Sequence, residues 1–468
     1  MAASGTASPR WDILIAGGGN AAMCAAIAAA EGGARVLVCE AAPVAMRGGN
    51  SRHTRNMRCA HDGPVGTLTG SYDEDEYYDD LLRVTAGKTD EALARQAIRE
   101  SAELVPWLTE RGVRFQKSLG GTLSLSRTNP FFLGGGKAEI NALYRHAEAL
   151  GVTVLYNAEV MSIDVVDGFF RSAEVRVRGF IETIAARAFV AAAGGFQANI
   201  DWLADAWGPA AHNFLIRGTP YAKGTLLRQL FASGAQPVSE ADQCHCVAID
   251  ARAPRFDGGL ATRLDSVPFS VVVNRNGERF YDEGEDFWPK RYAIWGRLVA
   301  QQPDQIGYSI VDSKSYELFM PSIYPPFKAD TIEELAGRLG LDGQKVADTV
   351  ARFNAACRSG AFDHTIHDDC RTEGLDIEKT HWARPIDEPP FYGYPLRPGI
   401  TFTYLGVTVD GGARIRMTDG RPAANMFAAG EIMAGNILGQ GYLAGIGMTI
   451  GAVFGRKAGG EAARYVRN

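Results

Sequence analysis

The first forty residues carry the strongest constraint on the fold. Trp11-Asp-Ile-Leu-Ile-Ala16 is a short apolar run, Gly17-Gly-Gly-Asn20 interrupts it, Ala21–Glu31 is dense in helix formers, and Arg35-Val-Leu-Val-Cys-Glu40 is apolar again. Strand, glycine turn, helix and strand in that order make a βαβ unit, with Gly32-Gly33 closing the helix. Parallel strands joined by a helix need a sheet covered on both faces, so the chain opens an α/β domain. Within the unit, Gly17-x-Gly19-x-x-Ala22 puts one glycine at a tight turn, one where backbone approaches a pyrophosphate, and a small residue where helix meets sheet. Asn20 and Ala21 open the helix, whose N-terminal N–H groups and positive dipole end attract phosphate. Glu40 ends the second strand about twenty residues on, where it can accept from ribose hydroxyls.

An acid there favours an unphosphorylated ribose, hence FAD or NAD rather than NADP. The chain returns to glycine after two later apolar strands, at Ala192-Ala-Gly194-Gly195 and Ala428-Ala-Gly430-Glu431. An extended flavin dinucleotide needs several close backbone approaches along its length, whereas a nicotinamide one needs mainly the first, so FAD is the expected cofactor. A chain of 468 residues with 46% hydrophobic and 22% charged residues can bury the cores of two or three domains, which excludes disorder as a description. Its net charge of −6 argues against nucleic acid or an anionic membrane as the main partner. The seven cysteines are too dispersed for a disulfide framework and suit a reducing compartment. Met1–Pro9 is small and polar, and the Ala21–Ala30 run is about half of a membrane span, so a cytoplasmic protein with no direct membrane insertion is expected. Cys244-His245-Cys246 has no second ligand pair, and no metal site is expected from it.

Farther along, apolar spacing predicts helices over 72–85, 90–111 and 137–150, a strand over 152–156, a small antiparallel sheet over 160–166, 173–178 and 181–186, and a strand over 188–192. Aromatics, prolines and charges rise around 280–327, followed by helices over 331–339 and 343–359, which reads as an inserted segment. A strand over 426–429 and a helical stretch over 441–466, rich in small residues, close the chain. Residues 47–61 hold Arg47, Arg52, His53, Arg55, Arg58 and His61, with no acid between Glu40 and Asp62. Guanidinium groups bind carboxylates bidentately, so Arg52, Arg55 and Arg58 are candidates for a multiply charged carboxylate. The alternative partners are the acids of Asp73–Asp80, and Arg47 equally suits the cofactor phosphates.

The motifs Gly17-Gly-Gly-Asn-Ala-Ala22, Gly48-Gly49-Asn50-Ser51, Ala428-Ala-Gly-Glu431 and the small residues from Gly445 on resemble the fumarate reductase/succinate dehydrogenase flavoprotein family. The segments 47–55, 279–292 and 439–445 are similar to its tricarballylate dehydrogenase branch, and to the flavoprotein half of a cobalamin-pathway oxidase. The resemblance implies an α/β fold: a discontinuous Rossmann-like FAD-binding domain over 1–245 and 381–468, with an inserted α+β capping domain over 246–380. It implies cofactor contacts at Gly48, Gly49, Asn50, Ser51 and Val160, and at Leu443, Ala444 and Gly445, where a helix dipole faces the flavin. Asn50 stands where covalently flavinylated members carry a histidine, which implies non-covalent FAD, with His53 near it in sequence. Proton transfer falls to Arg291 by that resemblance, with Glu283, Glu285 and Asp286 as relay candidates, and His245 matches a substrate-binding histidine. Thr401-Phe-Thr403-Tyr and Tyr442 depart from the fumarate reductase pattern, which points to a rebuilt pocket using Thr403 and Tyr442. The implied activity is oxidation of a C–C bond next to carboxylates, tricarballylate to cis-aconitate. The implied partners are a di- or tricarboxylate and a separate, membrane-associated electron acceptor. A macrocycle oxidase or monooxygenase, another fumarate-reductase-type or ketosteroid-type oxidoreductase, and an electron-transfer flavoprotein are the alternatives.

Overall fold

A computed structural model describes residues 11–118, 125–257, 262–320 and 322–468. Trp11–Ala16, Val36–Glu40 and Thr153–Tyr156 lie side by side in parallel, and Phe180–Ala191 and Pro422–Ala428 extend the sheet on the other side. Ile15 pairs with Val38 on one side and Val190 on the other, and all three are buried. Such strands carry nearly continuous apolar runs because both faces are covered. The α/β class and the Rossmann-like core expected from the opening βαβ unit are present.

One strand differs instructively from its sequence reading. The segments read as 181–186 and 188–192 are a single strand, Phe180–Ala191. Its first half pairs antiparallel with Phe169–Val177, and its second half joins the parallel sheet. The alternation of exposed and buried residues gives way to full burial from Ala188 to Ala191, and that change of pattern had suggested two elements. The helix expected over 90–111 is two helices, Glu91–Ser101 and Leu104–Glu110.

A second sheet is organised around Phe391–Thr403. That strand pairs antiparallel with Cys244–Asp250 and Gly307–Val311, and parallel with Leu215–Arg217. The sheet therefore draws strands from 215–217 and 391–403, outside the 246–380 segment that composition sets apart. The helix Trp288–Ala300 packs on it, with Pro289 in its first turn, where a missing N–H costs nothing. Gly296 fits against Cys246: a Cβ there would stand 2.4 Å from the Cys246 carbonyl carbon.

The first helix, Asn20–Glu31, is apolar on nearly all sides because it is buried between the sheet and the C-terminal helix, Ile446–Arg467. Small residues permit this contact. A Cβ at Gly455 would lie 2.5 Å from the Ala21 carbonyl oxygen, and one at Gly459 would lie 2.1 Å from that of Ala25. Both obstacles are backbone, so neither can swing aside. Gly459→Ala is expected to lower stability by about 2 kcal/mol or more through overpacking. Its neighbour Gly460 has no atom within 4 Å of a built Cβ. Gly460→Ala should raise stability by about 0.5–1 kcal/mol through helix propensity. Denaturant midpoints of the two variants check the contrast.

Candidate active site

The parallel strands of the first sheet run the same way, so their carboxyl ends collect at one edge. Ala16 leads into Gly17, Ala191 into Ala192–Gly194, and Ala428 into Gly430, and Glu40 ends its own strand; all these turns border one long cavity. Gly17 has φ of +107°, and a Cβ on it would stand 2.2 Å from the Ala192 carbonyl oxygen. At Gly49 nothing lies within 4 Å of a built Cβ, and at Gly19 the nearest atom is the Ser51 hydroxyl at 3.4 Å. These two glycines therefore present bare backbone to the cavity, the cradle that a pyrophosphate needs.

The Ser51 hydroxyl oxygen accepts the Asn20 N–H at 3.0 Å, tying the Gly48–Ser51 loop to the first helix. Asn20 itself donates to the Met448 carbonyl at 2.9 Å, so its side chain joins the two packed helices. Glu40 is buried and accepts the Ala42 N–H at 2.8 Å. Burial pushes its carboxyl up to about 7. Glu431 is likewise pushed up to about 7 by burial, and it accepts from the Thr403 N–H at 3.0 Å and from Gln197. Ala21, Val160, Gly194, Ala444 and Gly445 also line the cavity. Gly445, with φ of +84°, caps the C-terminal helix there. Asn50 bridges two elements: its amide nitrogen donates to the Thr401 carbonyl, and its oxygen accepts the Thr219 N–H at 2.8 Å.

The same cavity has a part, the chamber, bordered by Arg55, Arg217, Arg263, His245, Tyr292 and Tyr442. Arg217 donates to the Thr401 hydroxyl at 3.0 Å. Arg263 is paired with Asp265 at 2.6 Å, and the Trp288 indole N–H donates to the same carboxylate at 2.6 Å. Among the described residues, no hydrogen bond or ion pair reaches the Arg55 guanidinium. Burial, with repulsion from Arg263 and Arg217, pushes Arg55 down to about 10. His245 is buried, its ring lies 3.8 Å from that of Tyr442 in a stack, and its Nδ1 has no partner among the described residues. Burial and then the charges of Arg217 and Arg263 hold this imidazole well below its ordinary value, so it is neutral at pH 7. Burial raises the Tyr442 phenol, which accepts the Gly447 N–H at 3.2 Å.

Several residues singled out from sequence stand elsewhere. Arg291 is turned from the chamber toward Glu285 and the Tyr281 hydroxyl, because Trp288 and Tyr292, one helical turn apart, take the inward face of that helix. Arg58 is buried behind the C-terminal helix, donating to the Ala444 carbonyl at 3.0 Å and to the Tyr72 hydroxyl at 2.7 Å. Arg52 donates to the Ala45 carbonyl at 2.9 Å and is outside the cavity lining. Arg47 lies over the Tyr144 ring and donates to the Tyr156 hydroxyl at 2.6 Å. Thr403 is sealed in between Glu431 and the Phe196 N–H; Thr401 and Phe402 face the cavity instead. Gly48, Gly195 and Leu443 support the lining from behind: a Cβ at Gly48 would meet Ile140, one at Gly195 would meet Thr403, and Leu443 is buried. Of the basic cluster, only His53 and Arg55 reach the cavity. Arg217 and Arg263 lie far away in sequence, single arginines with no local motif to mark them.

Bare glycine backbone at the phosphate turn, a buried acid at the ribose position and a capped helix end toward the chamber define a flavoprotein site, and these residues fit FAD. A family model, the FAD binding domain, matches residues 12–448. The chain belongs to that family and is an FAD-dependent oxidoreductase. It is 26% identical to an NADH:fumarate oxidoreductase of Klebsiella pneumoniae over 98% of this chain and 48% of the relative, so it spans about half of that protein. It is 25% identical to a fumarate reductase (cytochrome) of Shewanella frigidimarina over 97% of this chain and 77% of the relative. Its fold matches that of 3-ketosteroid-Δ4-(5α)-dehydrogenase from Rhodococcus jostii, with a TM-score of 0.75, 21% identity and coverage of 99% of both chains. Among the described residues, no helix is long and apolar enough to cross a membrane.

Two outcomes follow from the cofactor end. Acid precipitation should leave a colourless pellet and release all of the FAD into the supernatant, because the amide of Asn50 offers no nucleophile. A carboxyl raised by burial makes the folded state the better proton binder, so Glu431 costs stability progressively as pH rises from about 4.5 to about 7. Glu431→Gln should flatten that part of the apoprotein's stability–pH curve, as read by thermal midpoints across the range.

Proposed function

We propose that this chain is a dehydrogenase acting on a C–C bond next to carboxylates, with tricarballylate and its oxidised product cis-aconitate as the substrate pair. One observation carries the reading: three arginines far apart in sequence, Arg55 of the 47–61 cluster, Arg217 at the end of the strand Leu215–Arg217 and Arg263, border one chamber. Asp265 neutralises Arg263, and among the described residues no acid pairs with Arg55, whose charge a ligand carboxylate would balance. A buried cation without a counter-charge is costly, and a polycarboxylate repays that cost. Planar guanidinium groups also fix the orientation of each carboxylate.

Bound FAD supplies the hydride acceptor for the oxidation. The chain's own residues must then take the proton from the carbon next to a carboxylate. His245 suits that role better than Arg291: it borders the chamber, it is neutral, and its Nδ1 is unpartnered. The stacked ring of Tyr442 holds the imidazole in place, and Tyr292 meets it edge-on at 5.7 Å. Reoxidation calls for a separate electron acceptor, for which a membrane-associated partner is our reading. The names of the two longer relatives, which invoke NADH and a cytochrome, support electron exchange with a group this chain does not contain.

Anaerobic addition of tricarballylate should bleach the flavin absorbance, and failure to bleach overturns the assignment. Arg217→Gln should weaken tricarballylate binding by about tenfold to a hundredfold through loss of a charge-assisted pair. His245→Asn should lower kcat by about a hundredfold or more with little change in binding. In the wild type, kcat should be flat above pH 7 and fall as pH drops through the depressed value of His245, since only the neutral imidazole accepts the proton.

A further inference from the structure

A second cavity lies on the other side of Trp288, which borders both spaces, and Asp265 lines the second one. Its volume is about 320 Å³. An apolar cavity of roughly 150 Å³ is enough to hold benzene. Its character is opposite to that of the arginine chamber: Phe269, Phe287, Phe319 and Trp382 supply ring surfaces. Phe287 and Trp382 stand 5.7 Å apart and tilted by 48°, so their faces converge rather than stack. Glu317 and Met320 at its margin are exposed, so the space opens to solvent at one end and meets the chamber wall at the other. The Trp288 indole is held by one hydrogen bond, to Asp265, and its ring meets Tyr292 of the chamber edge-on at 6.4 Å. Trp288 is the side chain that the two spaces share as a wall.

We propose that this cavity is a subsite for a planar apolar ring, and that Trp288 is the partition through which a ring-bearing carboxylic acid spans both spaces. The proposal deepens the reading of the chamber as a carboxylate site and rests on it for the acid end alone. It widens the substrate class from small polycarboxylates to dicarboxylates with an aromatic or alicyclic arm. Aromatic walls suit such an arm through burial of apolar area and offset ring contacts. Trp288 then becomes a specificity-determining position, because it walls both spaces while its indole is held by Asp265, the partner of Arg263.

The test uses holoenzyme and three probes: succinate, 2-benzylsuccinate and benzyl alcohol. The acids are followed by the shift they cause in flavin absorbance, and the alcohol by saturation-transfer NMR. The expected result is at least tenfold tighter binding of 2-benzylsuccinate than of succinate, an advantage that Leu318→Trp, at a residue lining the second cavity, removes by filling it while succinate binding stays within twofold. Equal affinities for the two acids in the wild type, or equal weakening of both by Leu318→Trp, overturn the subsite. Benzyl alcohol should give saturation transfer with the wild type and none with Leu318→Trp; no transfer with either overturns the cavity as a ring site. If neither acid binds while benzyl alcohol does, the ring site stands and the carboxylate reading of the chamber falls.

Discussion

The bridge made by Asn50 is the contact on which the active-site architecture turns. Its side-chain amide is bonded at both ends, to the Thr401 carbonyl and to the Thr219 N–H. Asn50 belongs to the glycine loop beside the cofactor turn, Thr401 to the hub strand of the second sheet, and Thr219 to the segment just after Arg217. One primary amide therefore ties the cofactor loop, the second sheet and an arginine-bearing strand end together. Gly218 has no room for a side chain there, since a Cβ would fall 2.2 Å from the Asn50 amide oxygen. A half-buried amide satisfied on both sides is specific as well as stabilising, because an alternative loop position would strand its donor and its acceptor.

From that bridge the electrostatic contrast within one cavity follows. At the cofactor end, buried carboxyls at Glu40 and Glu431 are raised by loss of water. At the other end, the same loss of water acts on cations and lowers Arg55 and His245. Desolvation works in opposite directions on acids and bases, so one enclosed space holds groups at both ends displaced toward neutrality.

Behind the lining stands a layer that touches no ligand but sets its shape. Arg58 is the example: its guanidinium is enclosed by Tyr72 and Tyr77 and bonds the Ala444 carbonyl at the start of the C-terminal helix. Thr403, donating to and accepting from groups around Glu431, plays the corresponding part at the other end of the hub strand. Both had the chemistry of a binding residue in the sequence, and both spend it inside the protein.

The cofactor half was legible in the chain. The Gly17 turn, the first helix, Glu40 and the two later strand-to-glycine returns are local patterns, each within a few residues, and the backbone has few ways to satisfy them. The resemblance drawn from them led to the correct family and to His245 and Tyr442 as neighbours of the chamber. What only the tertiary structure decided is which arginines face that chamber. Charge density along 47–61 is a one-dimensional signal, and within it Arg52 and Arg58 turn away while Arg55 turns in. Arg291 failed for a related reason, since the inward face of its helix is set by packing of Trp288 and Tyr292 against the second sheet. Arg217 and Arg263 had no signal at all, because two isolated arginines come together only when the strand Leu215–Arg217 and the Arg263 bridge to Ile249 place them at one chamber. Local backbone geometry is written in neighbouring residues, whereas the direction of a long charged side chain is settled by what packs around it.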